Sequence, residues 1–188
     1  GGTLLKARGI VPRESNDLDF FTFATIDGRQ LVAALRVMKE NLQEKFGNEV
    51  INATDKGFLH IESGMAIDAV ADGVPNIGEF VSFGQLKTAS LPDVAAHKAS
   101  AICSRDEIKD YIDLAFLTKH ENWSLNDLED LAERKFGLGT ISEEKLLTEL
   151  IAKRDIFAVR PDLFLRDGGE NVKVVQIQIA KLIAGATL

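Results

Sequence analysis

At 188 residues the chain is long enough for one domain, or for one domain with a small helical annex. Its 45% hydrophobic and 27% charged residues are ordinary for a soluble globular protein, no apolar run approaches the length of a bilayer span, and no signal-peptide pattern opens it. A net charge of −7 excludes a basic face over the whole molecule, though not a local basic patch, and the single Cys103 excludes an internal disulfide and fits a reducing, cytoplasmic setting.

The chain opens directly on Gly1-Gly2 with no element to position that turn. The expectation is that the protein continues upstream, a tag remnant being the alternative for one of the two glycines. Thr3 to Arg8 reads as a short helix and Asp17 to Thr25 as a strand, followed by an Asp27-Gly28 turn. From Arg29 to Phe46, apolar residues at 31, 32, 35, 38, 42 and 46 have helical spacing, and Gly47 supplies a stop. Glu49 to Thr54, Gly57 to Glu62 and Met65 to Val70 read as strands joined at Asp55-Lys56-Gly57 and Ser63-Gly64, with another short strand at Gln85 to Ala89.

From Leu91 onward the pattern is helical. Pro92 suits a first helical position in a helix running to Ser104, and Asp106 to Lys119 follows. Ser124 to Phe136 has Ser124 and Asp127 in capping-box positions, and Ser142 caps a helix reaching Arg154. The apolar tail from Val172 to Ile183 fits helix or strand, with helix favoured. An α/β (α+β) architecture results, a mixed sheet with flanking helices over residues 1–90 and a helical region over 91–188.

Several residues have the types and spacing that chemistry needs. On a strand, Asp17 and Asp19 share one face while Leu18 takes the other. Adjacent carboxylates repel, and a divalent cation such as magnesium, which takes oxygen ligands, relieves the repulsion. Two solvated aspartates at a strand start are the structural alternative. The glycines of Gly1-Gly2-Thr3 would let backbone approach a phosphate, or they form a plain turn. Asp68, between Ile67 and Ala69, is either a third carboxylate facing the metal or a water-facing edge residue.

In the helical half, Lys98 has Val94, Ala95, Ala101 and Ile102 at helical spacing, and Arg105 lies two turns along the same stripe. A lysine on a buried stripe needs an anion, either the phosphates of a ligand or an internal carboxylate. Asp113, flanked at helical spacing by Phe116 and Leu117, is expected to be partly buried and able to pair with Lys98 or Arg105. Asp110 is expected to be a solvated or helix-start carboxylate. His60, His97 and His120 have no metal-ligand spacing, and Trp123 reads as packing beside the Ser124 cap.

Taken together, Gly1-Gly2-Thr3, Ser15 and Asp17-Leu18-Asp19-Phe20-Phe21 resemble the Gly-Gly … Asp-x-Asp signature of the nucleotidyltransferase superfamily. Within it they resemble the AbiEii-like toxins of type IV toxin–antitoxin and abortive-infection systems. Their Lys-x-x-Ala-x-x-x-Arg and Asp-x-x-Asp-Leu segments are matched by Lys98, Ala101, Arg105, Asp110, Asp113 and Leu114. The similarity spans roughly residues 1 to 120. It departs from the family pattern in two respects: no element precedes Gly-Gly, and the basic stretch before the serine is reduced to Arg13.

The resemblance implies a nucleotidyltransferase-like fold and transfer of a nucleotide from an NTP, in some members to the 3′ end of tRNA. It further implies Mg2+ on Asp17 and Asp19 and nucleotide phosphates gripped by Gly2 with its neighbours Gly1 and Thr3; Asp68 is added as a third metal candidate, and Ser15 and Arg105 as nucleotide-binding candidates, on the residues themselves. Lys98 and Asp113, with Asp110 as a secondary candidate, would complete the catalytic set. RNA and a cognate antitoxin are the implied partners, and no membrane is involved. A non-catalytic relative that binds nucleotide or a protein partner is the alternative, as is an interaction module resting on the apolar tail.

Overall fold

The computed structural model describes residues 1–15, 17–22, 28–47, 50–52, 58–61, 65–71, 73–84, 86–155 and 170–186. The expected turns at Asp55-Lys56-Gly57 and Ser63-Gly64 lie outside these residues, as do the strand end at Phe23 to Thr25, Asp27 of the Asp27-Gly28 turn, and Gln85. The chain divides into two compact units. Gly1 and Glu14–Pro75 form the first; Gly2–Arg13 and Asn76–Leu188 form the second. The expected boundary falls at residue 90, whereas residues 76–90 belong with the helical unit.

The first unit is built on a four-stranded mixed sheet. Its strands are β1 (Asp17–Thr22), β2 (Val50–Asn52), β3 (Phe58–Ile61) and β4 (Met65–Ala71), in the order β1-β4-β3-β2. β1 runs parallel to β4, while β3 is antiparallel to both β4 and β2. The parallel pair needs a crossover, which contains the helix Gly28–Phe46 (α2 in chain order). Along that helix Leu35 is buried, and Met38 and Leu42 pack with Leu18 of β1 on Ile67 of β4. Val32 is 54% exposed, so the stripe that faces the sheet is narrower than its spacing suggests. Gly47 ends α2 at φ 76°, a left-handed conformation in which a Cβ would be strained.

The second unit holds the large core. It begins with α1 (Gly2–Ala7) and a two-stranded hairpin, β5 (Val81–Phe83) and β6 (Leu86–Thr88). Gly84, at φ 61°, opens the turn between them. Among the described residues five helices follow: α3 (Leu91–Ser104), α4 (Ile108–Glu121), α5 (Leu125–Phe136), α6 (Glu143–Lys153) and α7 (Glu170–Ala184). The apolar tail is therefore helical. α3 packs on α4, α5 and α6, and α4 packs on α1 and α7.

Their stripes meet in one cluster that includes Leu5, Ile102, Leu114, Leu117, Leu128, Leu146 and Val175. Each fully buried leucine of this kind contributes about 1.5–3 kcal/mol relative to exposure. The starts of α3, α5 and α6 are capped by side chains. Ser142 accepts from the Lys145 amide, and Ser124 with Asp127 forms a reciprocal capping box. Ser90 caps α3, with Pro92 in its first turn, and Trp123 packs against the core beside the α5 start.

Candidate active site

Alternation along β1 settles where its aspartates stand. Leu18 is committed to the α2 side of the sheet by its packing on Ile67, so Asp17 and Asp19 occupy the other face. Asp68 is the register partner of Asp19 on the parallel strand β4, which puts it on the same face. Neighbouring strands lie about 4.8 Å apart, so the two aspartates take adjacent positions on that face. Asp17 and Asp68 are half-buried, and Asp19 is exposed.

Gly1 lies against this group. A Cβ at Gly1 would stand 2.0 Å from Oδ2 of Asp19, so only a residue without a side chain leaves that carboxylate in place. Ser15 is half-buried just ahead of β1. The first unit thus gathers Gly1, Asp17, Asp19 and Asp68 into one acidic face made of hard oxygen donors. Among the described residues, no group of three or more His, Cys, Asp or Glu side chains is placed to hold a metal by itself. A carboxylate pair that leaves positions for phosphate oxygens and water is the arrangement magnesium uses, and the donor chemistry fits that ion.

The second unit gathers the remaining candidates. Lys98 is buried on α3, as its apolar neighbours require, and its anions are internal carboxylates. Its Nζ donates to Oδ1 of Asp110 at 2.6 Å and lies 2.7 Å from Oδ2 of Asp113. Asp113 has no exposed side chain and accepts a fork from Arg13, Nε to Oδ1 at 2.6 Å and Nη2 to Oδ2 at 2.7 Å. Arg105, half-exposed just beyond α3, donates from Nε to Oδ2 of Asp110 at 2.9 Å. Burial alone would raise the Asp110 pKa, but the Arg105 hydrogen bond and the Lys98 charge outweigh it and hold the carboxyl below its ordinary value.

Asp110 corrects one expectation. It does lie in the first turn of α4, but it is fully buried rather than solvated, because two cations compensate its charge. Asp113 is completely buried, further than the partial burial expected, and it meets Lys98 and Arg13 rather than Arg105. Gly2 is buried at the start of α1, with Thr3 half-buried after it, and both belong to this second unit.

A second buried ion pair escapes the sequence reading. Asp93 of α3 accepts from Lys135 Nζ at 2.8 Å, from the Ser90 hydroxyl at 2.5 Å, and from the amides of Ile77 and Gly78. Burial alone would raise its pKa; the Lys135, Ser90 and Ile77 hydrogen bonds together hold it below the ordinary value. The signal was legible, since Lys135 has Leu128, Leu131 and Ala132 at helical spacing, the same pattern that marks Lys98. His97 makes an edge-on contact with Phe136, and His120 sits against Glu121, so neither is arranged as a ligand. Cys103 is half-buried and its thiol pKa is raised by burial, away from reactive thiolate character.

Comparison with known proteins gives one family. Residues 1–167 match the family described as nucleotidyl transferase AbiEii toxin, type IV TA system. No curated protein and no solved structure matches the chain. The matched span takes in the acidic face of β1 and β4 and the whole Lys98 network, and the mixed α+β architecture is consistent with a nucleotidyltransferase-like fold. The chain belongs to the nucleotidyl transferase AbiEii toxin family of type IV toxin–antitoxin systems.

Proposed function

We propose that the protein transfers a nucleotide from an NTP to an acceptor hydroxyl, with magnesium held by Asp17 and Asp19. In this reaction the hydroxyl displaces pyrophosphate from the α-phosphorus. The observation that carries the reading is the shared face of the two aspartates, with Asp68 in register beside Asp19 and Gly1 leaving that carboxylate its space. Bound magnesium would neutralise the triphosphate charge, which is how metal ions assist such displacements.

The chain's own residues then bind and orient. Asp17 and Asp19 fix the metal-bound phosphates, with Asp68 as the third carboxylate of the face. Phosphate contacts fall to Gly2 with its neighbours Gly1 and Thr3, as the family resemblance implies, with Ser15 and Arg105 as further candidates, and charge stabilisation to Lys98 with Asp113 and Asp110 as its orienting partners. RNA is the acceptor class we favour, the 3′ end of tRNA being one example. Membership of a toxin family implies a cognate antitoxin, and the setting we propose is the cytoplasm. Among the described residues no helix is long and apolar enough to cross a membrane.

The test is transfer of label from each of the four NTPs to an RNA pool in the presence of magnesium. Asp17→Ala and Asp19→Ala are each expected to abolish labelling, while circular dichroism shows the fold retained. Labelling that persists at the wild-type rate in the double variant would remove the aspartates from the chemistry and sink the reading.

A further inference from the structure

Arg13 reads in the sequence only as what is left of a basic stretch, four residues before Asp17. In the folded second unit its guanidinium is committed. It meets both oxygens of Asp113 through Nε and Nη2, at 2.6 and 2.7 Å, and its side chain is 11% exposed. The fork is planar and two-pointed, so it fixes the rotation of the Asp113 carboxylate, which a lysine's point charge cannot do.

The consequence passes on to Lys98. Its ammonium stands between Asp113 Oδ2 and Asp110 Oδ1; Arg13 holds both oxygens of Asp113, sharing Oδ2 with Lys98, and Arg105 holds Asp110 at Oδ2. The charges alternate in the order Arg13, Asp113, Lys98, Asp110, Arg105. A buried ammonium stays at one point only while its acceptors cannot turn. Arg105 is 49% exposed whereas Arg13 is 11% exposed, so the Arg13 end is the drier of the two.

We propose that Arg13 is a positioning residue, clamping Asp113 so that Lys98 carries its charge at a fixed point. Its role in turnover rests on the proposed function, in which charge stabilisation is assigned to Lys98. Its role in holding Lys98 does not, because the contacts all lie within one unit.

Two measurements test it. In the transfer assay, Arg13→Gln is expected to lower kcat about 100-fold, the effect of roughly 1 Å of misplacement. KM for the NTP should stay within about threefold, because the lost interaction is one realised in the transition state. Arg13→Lys keeps the charge without the fork and should recover only part of the loss. An Arg13→Gln variant with unchanged kcat, or one whose whole loss is in KM, overturns the proposal.

The second measurement is lysine acylation by acetic anhydride, read residue by residue by mass spectrometry. Lys98 is expected to react several-fold faster in Arg13→Gln than in the wild type. Lys135, buried against Asp93 in the same unit, should be unchanged. Lys98 protected as in the wild type, or Lys98 and Lys135 reacting together, contradicts a local clamp. If the wild type transfers no nucleotide from any NTP, the proposed function fails, and the acylation result alone decides the place of Arg13.

Discussion

A side chain's position on its stripe or strand says what it must find, but not which residue supplies it. Lys98 shows this. Its apolar neighbours require an anion, and the anions are Asp110 and Asp113 from the following helix, each carrying an arginine as well. The Arg13 contact joins residues 100 positions apart, a pairing that no local spacing encodes. Gly1 raises the same point on the acidic face. Alanine there would put a Cβ 2.0 Å from the Asp19 carboxylate, and the exposed carboxylate would be the group that moves. Gly1→Ala is therefore expected to leave stability within about 0.5 kcal/mol, the usual range for surface changes. It should lower nucleotide transfer at least tenfold, since about 1.4 kcal/mol of lost transition-state stabilisation suffices for that. A thermal melt and the transfer assay measure the two effects, and full activity in the variant would show that the space beside Asp19 is not needed.

Helices were legible at the scale of elements because each carries a stripe, a cap and a stop within its own residues. Ser124, Asp127 and the Leu125, Leu128, Leu131 spacing define α5 without reference to anything else. Strands were less so. β5 has three residues, all exposed, and gives no alternation to read. The parallel register of β1 with β4, which sets Asp19 beside Asp68, depends on a partner beyond α2, β2 and β3. The segment leading into α3 is held by Asp93 through backbone amides, and Gly78 makes the approach possible. A Cβ there would lie 2.3 Å from Ser90 Oγ. Gly78→Ala is expected to destabilise the protein by about 1–3 kcal/mol through overpacking. Gly73→Ala, with nothing within 4 Å of its added Cβ, should stay near the wild type. Equal melting temperatures for the two variants would show that Ser90 and Asp93 give way freely.

For the molecule as a whole, fold class and family were legible, because composition, strand-rich and helix-rich halves and the Gly-Gly … Asp-x-Asp spacing agree. Where one unit ends was not, since residues 76–90 are tied to α3 through Asp93 and to the more distant α5 through Arg134. That buried polar framework gives stability a pH dependence. Asp93 and Asp110 titrate lower in the folded chain than the roughly 3.9 of an unfolded aspartate. Between the folded and unfolded values the unfolded chain binds more protons, so their contribution is complete above about pH 5 and is lost as pH falls through the unfolded value toward the folded ones. Urea midpoints from these two groups should be flat from neutrality to about pH 5 and fall below about pH 4, with a shallower fall in an Asp93→Asn, Asp110→Asn variant. A midpoint unchanged below pH 4 would mean that the ion pairs contribute nothing to folding. The acidic face itself is tested most directly by a crystal structure of the protein with magnesium and a non-transferable NTP analogue. Metal bound to the carboxylates of Asp17 and Asp19, with the triphosphate on it, is the expected result; a nucleotide held elsewhere with those two carboxylates unligated would contradict it.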